Sequence, residues 1–120
     1  MHVSGFTIVR NAVKFGYPFQ ESIRSLLPLV DEMIVAVGKS SDGTIEGVRG
    51  VRSPKIRIVE TTWDLSKREG GRLLAEQTDL ALTECAGDWC FYLQADEVVH
   101  ERDYPRIRRA MQQFLARPAI

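Results

Sequence analysis

The chain has 120 residues, 44% of them hydrophobic and 27% charged, and its sixteen basic side chains are balanced by sixteen acidic ones. That length suits one domain, able to bury roughly two-thirds of its unfolded surface. The zero net charge leaves no global field to attract nucleic acid or anionic lipid. Every apolar run falls well short of the roughly 20 residues that cross a bilayer. Residues 1–5 carry neither a charged n-region nor an apolar h-region, so no signal peptide is expected. Cys85 and Cys90 fit neither a disulfide framework nor a zinc-ligand spacing; two buried thiols in a reducing cytosol is the reading they suit.

Phe6-Thr7-Ile8-Val9 is a β-rich run of strand length that ends in Arg10-Asn11. Phe19, Ile23, Leu26, Leu27 and Val30 then recur at helical spacing, with Pro18 placed for a first turn and Pro28 placed to close or kink the helix. Residues 33–37 form a second apolar run without alternation, as a strand buried on both faces shows. Residues 38–44 make a turn-rich loop in which Asp42 or Thr44 can cap a short helix to about residue 51. Its Gly38-Lys39-Ser40 is not a phosphate-binding P-loop, because that motif needs glycine where Met33 stands. No GxGxxG follows the first strand either.

Ser53-Pro54 breaks the chain, and Ile56, Ile58 and Val59 predict a third strand. A charged stretch from 63 to 71 leads into a longer helix whose inner face is predicted as Leu74, Thr78, Ala81, Leu82 and Cys85. Gly87 suits the position after a helix end. Residues 89–93 predict strand four, running into Gln94-Ala95-Asp96-Glu97. Ile107, Ala110, Met111, Phe114 and Leu115 form an amphipathic stripe on a helix over about 103–116.

The alternation βαβαβαβα implies an α/β fold, a Rossmann-like, mostly parallel sheet of about four strands with helices on both faces. Ligands of such sheets lie beyond the carboxyl ends of the strands. Arg10-Asn11, the 38–44 loop, residues 61–71 and residues 94–97 all fall there. Asp96 and Glu97 at a sheet edge suit Mg²⁺ or Mn²⁺, which take hard oxygen ligands and leave room for substrate phosphates. Lys67, Arg68 and Arg72, near a helix start that itself favours anions, suit a diphosphate. Each group also has a plainer reading, as a helix cap or a solvated loop. His100 reads as a surface residue at a helix entry.

With these residues in hand, the chain resembles the family 2 glycosyltransferases of the GT-A fold, over roughly residues 3–101. The resemblance rests on Ile8-Val9-Arg10-Asn11, on residues 30–37, on Ser40-Ser41-Asp42-Gly43-Thr44, and on Ala86-Gly87-Asp88-Trp89 through Asp96-Glu97. It implies strand order 3-2-1-4, a nucleotide-diphospho-sugar donor, a divalent metal, and glycosyl transfer with inversion. Arg10, Asn11, Ser40, Asp42, Lys67, Arg68, Arg72 and Gln94 become expected donor contacts, and Asp96 and Glu97 expected metal ligands. The sequence departs from the family pattern in three places. Val37 stands where a base-contacting acid is usual, Gln94 replaces the first acid of the metal motif, and Gln77-Thr78-Asp79 replaces Ala-Arg-Asn. Family members also continue well beyond this length, into an acceptor half that holds the general base. A domain that binds donor and turns over weakly is therefore the expectation, with a non-catalytic module keeping a decayed site as the alternative. An open edge on strand four, or the C-terminal helix, could pair two copies.

Overall fold

The computed structural model describes residues 1–64, 66 and 71–116. Among these, four strands, β1 (Val3–Val9), β2 (Glu32–Gly38), β3 (Ile56–Thr61) and β4 (Trp89–Tyr92), form one sheet in the order β3-β2-β1-β4. All three pairings are parallel, with Val9 opposite Val37, Val37 opposite Glu60, and Val3 opposite Trp89. The helices are α1 (Phe19–Leu26), α2 (Thr44–Arg49), α3 (Arg72–Thr83) and α4 (Tyr104–Leu115), with short 3-10 turns at Leu27–Leu29 and Glu101–Asp103. The two-sided cover matches what the alternation implies, and the strand order matches the one implied by the family resemblance.

β2 is buried on both faces because it has a strand on each side and helices above and below. On one face, Val9, Met33, Val35 and Val37 pack with Phe19, Ile23 and Leu26 of α1, Val48 of α2 and Met111 of α4. On the other, Phe6, Ile8, Ile34 and Ala36 meet Ala81 of α3. α1 stops at Leu26, and Pro28 continues the chain as a 3-10 turn, which removes the amide a longer α-helix would need.

Four expectations need correcting. The buried stripe of α3 is Leu73, Gln77 and Ala81, while Leu74 and Leu82 are 50% and 43% exposed. The helix is rotated by one residue from the face its leucines suggest. Gly87 lies three residues past the C-cap Glu84, so it does not close the helix; a Cβ there would sit 2.7 Å from the Ser4 backbone nitrogen and 2.8 Å from the His2 carbonyl. It is glycine because β1 passes too close for a side chain. The cysteines are not both core thiols, since Cys85 is half-buried and Cys90 exposed. On α4 only the N-terminal part of the stripe docks: Met111 is buried and Ile107 packs against the core, but Phe114 and Leu115 are 54% and 45% exposed.

The lower end of the sheet is tied by hydrogen bonds. Ser4 donates its hydroxyl to the Glu32 carboxylate, and Ala86 donates its N–H to the same carboxylate at 2.8 Å. Gly87 N–H donates to the Ser4 oxygen at 2.8 Å. The Ser4 hydroxyl and the Ala86 amide hold the Glu32 carboxyl below its ordinary range.

Candidate functional site

The carboxyl ends of β1, β3 and β4 meet around two adjoining clefts. One, of about 240 Å³, is lined by Ile8, Arg10, Tyr17, Trp63, Tyr92, Gln94 and Asp96 among others. The second, of about 550 Å³, is lined by Arg10, Asn11, Lys14, Phe15, Trp63, Gly71, Leu73 and Leu74. Arg10, Trp63 and Leu74 belong to both. The guanidinium of Arg10 lies over the Trp63 ring, 5.3 Å from its centroid. Trp63 in turn rests on Gly38, where a Cβ would be 2.3 Å from the indole nitrogen.

Asn11 adopts a positive φ of 50°, a conformation asparagine tolerates better than most residues. Its N–H donates to the Ser40 hydroxyl at 3.0 Å, and its side-chain oxygen accepts from the Ser41 N–H at 3.0 Å. Asp42 accepts from the Lys14 N–H at 2.7 Å and from both the N–H and the hydroxyl of Thr44. Thr44 accepts from the Ala12 N–H at 3.0 Å. These side chains join the loop after β1 to the loop after β2. Asp42 receives the first amide of α2, although the N-cap position itself is Gly43. Partial burial opposes its ionisation, but the hydrogen bonds from Thr44 and Lys14 prevail and lower its pKa.

Ser40 lines a third cleft of about 310 Å³, with Val37, Lys39, Ile45 and Glu60, separate from the Arg10–Trp63 pair. Arg72 lies along the outer flank of α3, in a cleft of about 420 Å³ with Glu76 and Asp79. The structure therefore brings neither Ser40 nor Arg72 to the same cleft as Gln94 and Asp96. Lys67 and Arg68 lie outside the described residues.

After β4 the chain turns tightly. Glu97 folds back to accept the Gln94 N–H at 2.9 Å, which leaves Asp96 as the acid lining the cleft. Ser22 of α1 donates to the Gln94 carbonyl at 3.0 Å and fixes the turn to the helical layer. Tyr92 stacks on Phe6 with centroids 4.9 Å apart. Burial, followed by the charges of Glu97 and Asp96, raises its pKa, so it stays a neutral donor beside Asp96. Among the described residues, no three His, Cys, Asp or Glu side chains come together as a metal site. A cation here would rest on Asp96 and the Gln94 amide oxygen, with ligand phosphates and water completing its shell. His100 caps the 3-10 turn before α4, accepting the Arg102 N–H at 3.2 Å.

Sequence patterning missed Trp63, Tyr17 and Tyr92, because the charged residues that follow Trp63 drew attention to themselves. A tryptophan two residues beyond a strand end, with a glycine ending the neighbouring strand, was the available signal.

The fold of this sheet and its helices is found in a known structure. The chain shares its fold with S. aureus TarS. The crystal structure of TarS 1-349 superposes with a TM-score of 0.68 at 17% identity, covering 94% of this chain and 33% of TarS 1-349. The same fragment in complex with UDP gives 0.68 at 19% identity, over 94% of this chain and 32% of that one. A longer TarS structure matches equally, at 18% identity and over 20% of its length. This chain thus spans about a third of TarS 1-349. No protein-family model matches the sequence, and no curated protein matches it either. No helix among the described residues is long and apolar enough to cross a membrane.

Proposed function

We propose that the chain is a glycosyltransferase-like domain that holds a nucleotide-diphospho-sugar over the carboxyl ends of β1, β3 and β4. The observation that carries this reading is the fold shared with TarS, one structure of which contains UDP. The local chemistry is consistent with it. Asp96 and Gln94 stand beside aromatic surfaces of Tyr17, Trp63 and Tyr92, with Arg10 at the boundary of the two clefts.

In this reading Asp96 and the Gln94 amide oxygen would hold Mg²⁺ or Mn²⁺, which would supply positive charge to offset that of a diphosphate leaving group. Asn11 and Asp42 shape the donor site through the loops they join. A second reading, a binding module with a decayed donor site, is favoured by one observation: Asn11, Ser40 and Asp42 already spend hydrogen bonds on one another's loops, and Val37 offers no acceptor.

Thermal unfolding with UDP-, GDP- and dTDP-sugars, with and without Mn²⁺, tests the proposal. Ligand at 100 times its dissociation constant adds about 2.7 kcal/mol, or roughly 5–15 °C for a domain of this size. Asp96→Ala is expected to remove the Mn²⁺-dependent part of the shift. Absence of a shift with every donor sinks donor binding. That absence would favour the second reading, whereas a shift without sugar transfer fits a donor-binding domain that is incomplete as an enzyme.

A further inference from the structure

Arg10 is a guanidinium with no ion-pair or hydrogen-bond partner among the described residues. Its position is set by the indole of Trp63. Trp63 is seated in turn by the missing Cβ of Gly38, from which its Nε1 and Cδ1 would be 2.3 and 2.7 Å away. Because Val9 and Val37 are register partners, Arg10 and Gly38 are the next residues along on adjacent strands. The three residues form a stack at the carboxyl edge of the sheet.

Bracing a cation on a ring rather than on a carboxylate has a chemical consequence. A carboxylate would consume the in-plane N–H donors, whereas a π face leaves them free for a bidentate grip on phosphate oxygens. Among the described residues, the larger cleft beside the stack is lined by Arg10 and Lys14 and by no acidic side chain, while Asp96 lines the smaller one. An anion is favoured on the Lys14 side, and a cation next to Asp96.

We propose that Gly38, Trp63 and Arg10 form a preorganised clamp for a diphosphate, in which Arg10 donates to the phosphate oxygens and Trp63 is the positioning residue that holds it ready. That the diphosphate belongs to a nucleotide rests on the donor-binding reading above. The anion site itself does not, and inorganic pyrophosphate probes it directly.

The experiment uses the full chain carrying Trp89→Phe, so that Trp63 is the sole indole, and follows pyrophosphate and UDP binding by calorimetry and indole emission. Both ligands are expected to perturb the Trp63 emission. Trp63→Leu should weaken pyrophosphate binding roughly 3- to 30-fold, the range of a cation–π contact, and Trp63→Phe should restore most of it. In an Arg10→Ala background, Trp63→Leu should cost nothing more, because the ring acts through the guanidinium. Gly38→Ala, which pushes the indole aside, is expected to mimic Trp63→Leu and stands in for it should that variant not fold. Unchanged pyrophosphate binding in Trp63→Leu, or an equal loss with Arg10 already removed, overturns the clamp. Trp63-dependent pyrophosphate binding without UDP binding keeps the clamp and removes the nucleotide reading. UDP binding indifferent to Trp63 does the reverse. Binding of neither ligand removes both.

Discussion

Asn11 donates its backbone N–H to the hydroxyl of Ser40 at 3.0 Å, and this contact joins the loop that leaves β1 to the loop that leaves β2. Asn11 supplies two things at once, a tolerated positive φ and an acceptor for the Ser41 amide. The variants separate them. Asn11→Gly keeps the backbone and loses the acceptor, so it should cost about 1 kcal/mol, whereas Asn11→Ala loses both and should cost about 2. Urea unfolding of the two variants measures the difference, and equal losses would mean the φ angle contributes nothing.

Glu32 predicts the form of the acid limb. Its folded pKa lies below the unfolded value of 4.5, so the stability it adds is fully present above that pH and fades as pH falls through the lower folded value. Glu32→Gln should therefore lower stability at pH 7, flatten the pH dependence below about 4.5, and bring the two proteins together at the lowest pH. Chemical denaturation from pH 3 to 7 provides the curves. A constant offset at every pH would assign the effect to packing instead of charge.

Gln77 is fully buried on the sheet-facing side of α3, and among the described residues neither its amide nitrogen nor its amide oxygen has a hydrogen-bond partner. An unmatched buried polar group costs about 1–3 kcal/mol. Gln77→Met, of similar length and a good helix former, should raise the melting midpoint by several degrees. A fall would show that the amide is satisfied in solution, for example by a buried water.

The two thiols should differ sharply in reactivity. Burial, reinforced by the neighbouring Cys90, pushes the Cys85 thiol up to about 12. Since the thiolate is the nucleophile, Cys85 should alkylate markedly more slowly than a thiol at the ordinary value of 9.0. Cys90, exposed on β4, is the residue iodoacetamide should label first in native protein, as read by peptide mass spectrometry. Equal labelling would place Cys85 in solvent.

These residues also show what the sequence makes legible. The unbroken apolar run of β2 could only be a central strand, and the strand-helix alternation constrained the sheet to a few topologies. The phase of α3 was hidden because its inward stripe contains a glutamine, while Leu74 and Leu82, which look like core, flank it. Pattern reading weighs hydrophobicity, and a buried amide defeats that weighting. The position of the clefts was legible from strand ends; the hydrogen-bond partners of their residues were not. Asp42, read from sequence as a donor contact, also staples two loops through Lys14 and Thr44, while Trp63, read as the start of a charged segment, lines both clefts. Which polar side chains are already satisfied by their neighbours is a property of three-dimensional register, which local spacing does not encode.

The central place of β1 also governs how the chain is made. β1 precedes the other strands, yet its Val3–Phe6 half pairs with β4, and the His2 amide reaches a carboxylate 86 residues later, at Asp88. At about 5–20 residues per second of synthesis, that half of β1 waits roughly 4–17 s for its partner. During that interval the growing polypeptide holds an apolar strand with a free edge beside the ribosome. Synonymous codons that slow translation between β2 and β4 should therefore raise chaperone dependence without altering a single contact in the finished protein.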